Sequence, residues 1–215
     1  MENGIELLPE EITKLLILWL CFKDRFDDNL SHKNIKITTI DDAKYGQCQK
    51  ISLSSTRYTY FTAICKAMVE KGCKMEWTFR FDEIATNTNL LVGIVNDESA
   101  QAAKGDMCDF SDSEYGGFGL FMRSQLKYHG ANIGVDFAYG DQFEYESNDL
   151  ITMKLDLTQE KSQHGILSCI MHSKVKDGVN IDEYSNVLWD DIDVNQKWRA
   201  TIAMYKDTDS VTLVA

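Results

Sequence analysis

Near residue 33 the apolar residues of this chain change from a helical spacing to an alternation, and no sustained helical spacing returns. The alternation is plainest in KGCKMEWTFRF (71–81), where Met75, Trp77, Phe79 and Phe81 interleave with Lys74, Glu76, Thr78 and Arg80. Successive side chains of a strand point to opposite faces, so the four large apolar residues share one face and the polar ones the other. Each of the four contributes about 1.5–3 kcal/mol if buried. The other use of such a ladder is an open aromatic platform on which sugars or bases stack. That would leave four large apolar side chains in water, which monomeric proteins rarely tolerate. The stretch is read as the inner wall of a sheet.

Strand-like segments recur at 34–40, 58–68, 89–96, 117–124, 149–157, 165–172, 197–206 and 210–215, separated by turn-rich spacers. The chain's single proline, Pro9, lies outside all of them, so none is demoted to an edge. Many short strands with such spacers predict an all-β fold, an antiparallel β-sandwich or barrel. The longer connections, 97–116, 125–148 and 173–186, are rich in Gly, Asp, Ser and Asn. Loops of this kind gather at the ends of a sandwich and carry most binding residues.

Before the strands, residues 9–22 predict one helix. Pro9 suits its first turn, Glu10 and Glu11 complement the positive end of its dipole, and Ile12, Leu15, Leu16, Trp19 and Leu20 form one apolar stripe. The acids preceding KLLILWLCF (14–22) are the wrong charge for a secretory leader, and the segment is too short to span a bilayer. The expected location is therefore the cytoplasm, and the six cysteines, none in a C-x-x-C, are expected to be reduced and mostly buried. A chain of 215 residues buries roughly 70% of its unfolded surface and needs no disulfide or metal to hold a core. The expected organisation is a helix and linker over 1–29 and a sandwich domain over 30–215. The formal charge of −12 disfavours nucleic acid and anionic membranes as partners.

Several segments, taken in order, resemble the SPRY family. Gly72 followed by Trp77, Phe79 and Phe81 is similar to an early SPRY strand, although Met75-Glu76-Trp77 alters the usual order. LLVGIV (90–95), with Gly93, resembles the next strand, and GGFGLF (116–121) resembles the Gly-aromatic-Gly-Leu strand. GDQFEYESNDLITMKLDL (140–157) is the strongest match, with Gly140, Phe143, Asp149 and the run closing on Leu155-Asp156-Leu157. GILSCIM (165–171), LWDDI (188–192) and KWRATIAMYKDTDSVTLV (197–214) continue the likeness, which covers roughly residues 30–214. The resemblance implies a concanavalin A-like sandwich and a protein-binding module, often a substrate receptor working with ubiquitin-ligase components. LLPEEITKLLILWL (7–20) resembles the opening of an F-box. An F-box needs about three helices and only one fits here, so the helix is expected to dock on the sandwich by its apolar stripe.

No reaction is legible. Glu144 and Glu146 are two apart and could share a face as a glycosidase pair, but Asn148 breaks the run of three alternating acids that sandwich glycosidases carry. Asp191-x-Asp193-x-Asn195 copies the first half of a calcium loop, yet Gln196 replaces the required glycine and Ile202 the bidentate acid. Cys169-x-x-His172 lacks a second pair at zinc spacing. The four histidines accompany no nucleophile signature, and GGFG (116–119) has no P-loop lysine. No cofactor or metal is expected. The expected function is non-catalytic recognition of a peptide or protein, by a monomer, through loops at one end of the sandwich. Loop aromatics and their acidic neighbours are the candidate contacts: Phe110, Tyr115, Tyr128, His129, Tyr139 and Tyr184, with Asp109, Asp112 and Asp141. Each aromatic could equally pin its loop to the core. The first alternative is a lectin-like carbohydrate site on the same fold, which would need an exposed aromatic flanked by Asn, Asp and His on a concave face. The second is a hydrolase using Glu144 and Glu146.

Overall fold

A computed structural model of the chain describes residues 24–54, 59–84, 90–112, 114–122, 126–129, 132–136, 147–158, 164–172 and 184–214. The expected helix over 9–22, its F-box-like opening and the Glu144/Glu146 pair lie outside these residues.

Two antiparallel sheets face each other. The first runs in the order β1 (Ile35–Asp42), β2 (Gly46–Leu53), β13 (Ser210–Leu213), β4 (Lys74–Glu83), β9 (Leu150–Asp156), β10 (His164–His172), β11 (Tyr184–Asp193). The second runs β3 (Phe61–Ile64), β12 (Trp198–Met204), β5 (Leu91–Asn96), β6 (Phe118–Phe121), β7 (Leu126–His129), β8 (Asn132–Asp136). On β4 the alternation does what the sequence predicts: Trp77, Phe79 and Phe81 are fully buried and Met75 packs half-buried against them, while Lys74 and Glu76 are exposed. Ile151, Met153 and Leu155 from β9 and Leu167, Cys169 and Met171 from β10 continue the same inner face. Ile94, Leu120, Trp198 and Ile202 of the second sheet belong to the same core.

The structure adds elements that the sequence reading left in loops. Strands β2, β7 and β8 were not expected, and β11 begins within the loop placed at 173–186. Gln47, Gln49 and Lys50 dilute the apolar pattern of β2, which is nonetheless held between β1 and β13. One short helix, α1 (Asp97–Ala103), replaces the start of the loop placed at 97–116. It is too short for a helical period to show in sequence, and a local cap specifies it instead.

The boundary also shifts. Residues 24–29, expected in a linker, are part of the sandwich, with Phe26 in the main core. Phe26 bridges to Cys65, Asp27 N donates to Ile64 O (2.7 Å) and His32 N to Thr62 O (2.8 Å), so this segment covers the edge left by β3. Asp24 anchors its start. One carboxylate oxygen accepts from Arg25 N (2.7 Å) and Ala67 N (2.8 Å), the other from Trp77 Nε1 (2.7 Å). Burial nevertheless outweighs these three donors and raises the Asp24 pKa above its ordinary value.

On the outer face of the first sheet, Arg80 joins neighbouring strands. Its Nη1 reaches Asp42 Oδ2 (2.5 Å) and its Nε reaches Asp82 Oδ1 (2.7 Å). Asp82 also receives Thr212 Oγ1 (2.5 Å) and lies 3.6 Å from Lys50 Nζ, so β1, β2, β13 and β4 share one polar network. The hydrogen bond from Arg80, followed by those from Lys44 N and Tyr45 N, holds the Asp42 pKa down at about 2.

Two outcomes follow for stability. Replacing Asp24 by Ala strands the buried N–H groups of Trp77 and Ala67 and should lower the unfolding free energy by about 2–3 kcal/mol, read from urea denaturation. Asp42 has a depressed folded pKa, so its contribution is full above the unfolded value of 3.8 and is lost as pH falls toward about 2. Over that window the stability of Asp42→Asn should fall less steeply with pH than that of the wild type.

Candidate functional site

At one end of the second sheet β5 and β7 finish, β6 and β12 begin, and the end of β11 arrives from the first sheet. These ends enclose an open cleft of about 450 Å³. Its floor is aromatic. The Phe118 and His129 rings stack at 3.9 Å with planes 2° apart, and Trp189 and Trp198 meet Phe118 edge-on at 5.3 and 5.5 Å. His129 Nδ1 lies 3.2 Å from Gly117 O. A carbonyl can only accept, so Nδ1 is the donor in this contact.

Three walls are specified locally. On the first, Asn96 caps α1 with extended dihedrals (φ −62°, ψ 135°), and its Oδ1 accepts from Glu98 N (2.7 Å) and Ser99 N (3.4 Å). Its Nδ2 donates to Gln196 Oε1, which ties the helix start to the β11–β12 turn. Asn96, Ser99 and Gln196 line this side. The second wall is the turn around Glu114, Tyr115 and Gly116. Tyr115 N and Gly116 N both donate to Asp112 O (3.0 Å), and Gly116 has the left-handed φ of 62° that glycine adopts without strain. The third holds Asp191 and Asp193. Asp193 Oδ1 accepts from Asn195 N (2.9 Å) and Asp193 O from Trp198 Nε1 (2.9 Å), so this turn fixes the floor.

The cleft is electronegative. Among the described residues its lining holds Glu114, Asp191 and Asp193 and neither lysine nor arginine. The described cations on either side of Trp198 are engaged elsewhere, Arg199 with Asp97 (2.5 Å) and Lys197 with Glu70 (3.4 Å). The Tyr115 phenol pKa is raised first by burial and then by Glu114, Cys108, Asp112 and Asp106. Asp112 is raised by burial, then by Asp109 and Glu114. Burial leads both shifts, and the neighbouring carboxylates add to it. Among the described residues no group of three or more His, Cys, Asp or Glu is arranged to hold a metal ion.

No family model matches the sequence, and no curated protein matches it. Solved structures do match. The PSpry domain of TRIM65 superposes with a TM-score of 0.53 at 12% identity, over 99% of this chain and all of that one (100%). The SPRY domain of human HERC1 gives 0.51 at 14% identity, over 88% of this chain and 97% of that one. The chain has the SPRY fold. At these identities the likeness establishes architecture, and the chemistry of the cleft has to come from its own side chains.

Of the residues expected to meet a partner, the structure brings Tyr115 and His129 into the cleft. Phe110 is fully buried in a satellite core with Leu91, Val95 and Met107, where it pins its loop. Asp109 turns inward on its own loop, its Oδ1 accepting from Ser111 N (2.9 Å) and Ser111 Oγ (2.7 Å). The backbone of Tyr128 lies on β7 and that of Tyr184 on β11. Tyr139 and Asp141 lie outside the described residues. The cleft also gathers Asn96, Ser99, Asp191, Asp193, Gln196 and Trp198, none of them expected in a site. Two had a signal, since Asp191 and Asp193 form the acidic repeat that resembles half a calcium loop.

If the cap positions this wall, Asn96→Ala should cost about 1 kcal/mol. Hydrogen exchange should then quicken over 97–103 and leave β4 protected, which amide-resolved exchange reads directly.

Proposed function

We propose that this protein is a non-catalytic recognition module that holds a peptide segment of a protein partner in the cleft between α1, the 114–116 turn and the β11–β12 turn. The observation that carries the reading is the cleft itself: a concave, aromatic-floored space rimmed by carboxylates that no cation among its described lining residues neutralises. A volume of about 450 Å³ suits a side chain or two and their backbone. The one imidazole there is stacked on Phe118 and commits Nδ1 to a backbone carbonyl, which supports a fixed surface over a base poised beside a nucleophile. The fold agrees with this reading, since the resemblance over residues 30–214 implies a protein-binding module. A substrate-adaptor role beside ubiquitin-ligase components, in the cytoplasm, is the finer form of the proposal. Burial of Cys48, Cys65 and Cys169 is compatible with that compartment.

The same lining also favours a second reading. Half-exposed Tyr115 with Asn96, Asp191 and His129 on a concave face meets the requirement of a lectin-like site. Against it, Asn96 spends its side-chain oxygen on two N–H groups of α1 and one amide N–H on Gln196, which leaves a single donor to read a hydroxyl.

Peptide display against the wild-type chain, with a glycan array in parallel, separates the two. Ser99 lines the cleft, so Ser99→Trp should fill it. Selected peptides should bind the wild type and lose about tenfold or more in affinity on Ser99→Trp, the loss of one anchor contact. Saturable binding to a sugar, with no peptide sensitive to Ser99→Trp, overturns the proposal in favour of the lectin reading.

A further inference from the structure

Resting on that reading, we infer that the partner's anchor in the cleft is an arginine side chain. Charge complementarity comes first. Glu114 and Asp191 are exposed on different walls, Asp193 is half-buried beside Asp191, and the described lining holds no cation to answer them. Among the described residues, Arg199 and Lys197, which flank Trp198, are tied to Asp97 and Glu70. A neutral or acidic anchor would leave the negative charge of the lining in place or add to it. A cationic one removes it and is drawn in by the field of an acidic domain.

The hydrogen-bonding character of the lining decides between the two cationic side chains. Its charged groups are acceptors: the carboxylates of Glu114 and Asp191 and the second oxygen of Asp193. Glu114 and Asp191 belong to separate elements, one to the 114–116 turn and the other to the end of β11. A guanidinium presents five N–H donors in a planar fork and lies flat against aromatic rings, so it can serve carboxylates on separate walls at once. An ammonium is a compact charge and suits a convergent set. Tyr115 and His129, half-exposed beside the carboxylates, supply the ring faces for stacking. Phe118 and Trp198 are 5% and 3% exposed, so the ring faces within reach are those of Tyr115 and His129.

The test uses the 215-residue chain and three capped pentapeptides, Gly-Gly-X-Gly-Gly, in which X is arginine, lysine or citrulline. Citrulline keeps the shape of arginine and loses the charge. Amide shifts are followed by nuclear magnetic resonance. The arginine peptide should perturb Gly116, His129 and Gln196 and bind about tenfold more tightly than the citrulline peptide, the loss expected for one charge-assisted contact. It should bind more tightly than lysine and weaken with added salt. Asp191→Asn combined with Glu114→Gln should remove the preference for arginine over citrulline, and an unchanged melting temperature would show that the fold is intact. Equal binding of arginine and citrulline, lysine as tight as arginine, or no perturbation of those three amides would each overturn the assignment. The display experiment with Ser99→Trp stands apart from this one, since peptides anchored by neutral residues would keep the recognition reading and end only the arginine inference.

Discussion

The burial of β4 between its two neighbours and beneath the second sheet is the contact on which everything else in this molecule rests. Trp77, Phe79 and Phe81 reach zero exposure on one side of that strand, while Arg80 and Asp82 on the other side bind the sheet together through Asp42, Lys50 and Thr212. The inner face supplies the large non-directional stabilisation; the outer face fixes which strands lie side by side. The buried carboxylate of Asp24 then ties the incoming chain to the indole of Trp77, so the first described residue is fastened to the centre of the core. The cleft is built from strand ends and turns that this packing holds in place.

Much of the architecture was legible because period two is a local property. Each side chain two positions along a strand faces the same way whatever the rest of the chain does, so β4, β5, β9, β10 and β12 could be read from their own residues. The elements that escaped depend on their surroundings. The polar residues of β2 make it a poor strand in isolation, and it takes that form between β1 and β13. The helix α1 is specified by a single capping asparagine.

The cleft was less legible for the same reason. Its walls come from residues 96–99, 114–118, 129 and 191–198, and nothing in a one-dimensional reading says that these ends converge. Aromatic content and acidity directed attention to Tyr115 and His129, which the fold brings into the cleft. The same rule also chose Phe110, because a buried loop anchor and an exposed contact residue have the same composition. Only burial separates them, and burial is set by tertiary packing.

The placement of β13 has a consequence for how the molecule comes into being. That strand is the last of the described ones in sequence, yet it sits between β2 and β4, both made far earlier. During synthesis the β1–β2 hairpin and the ribbon containing β4 must therefore wait with facing, unpaired edges. Ribosome-bound intermediates will carry two sticky borders that only the arrival of the closing strand can seal.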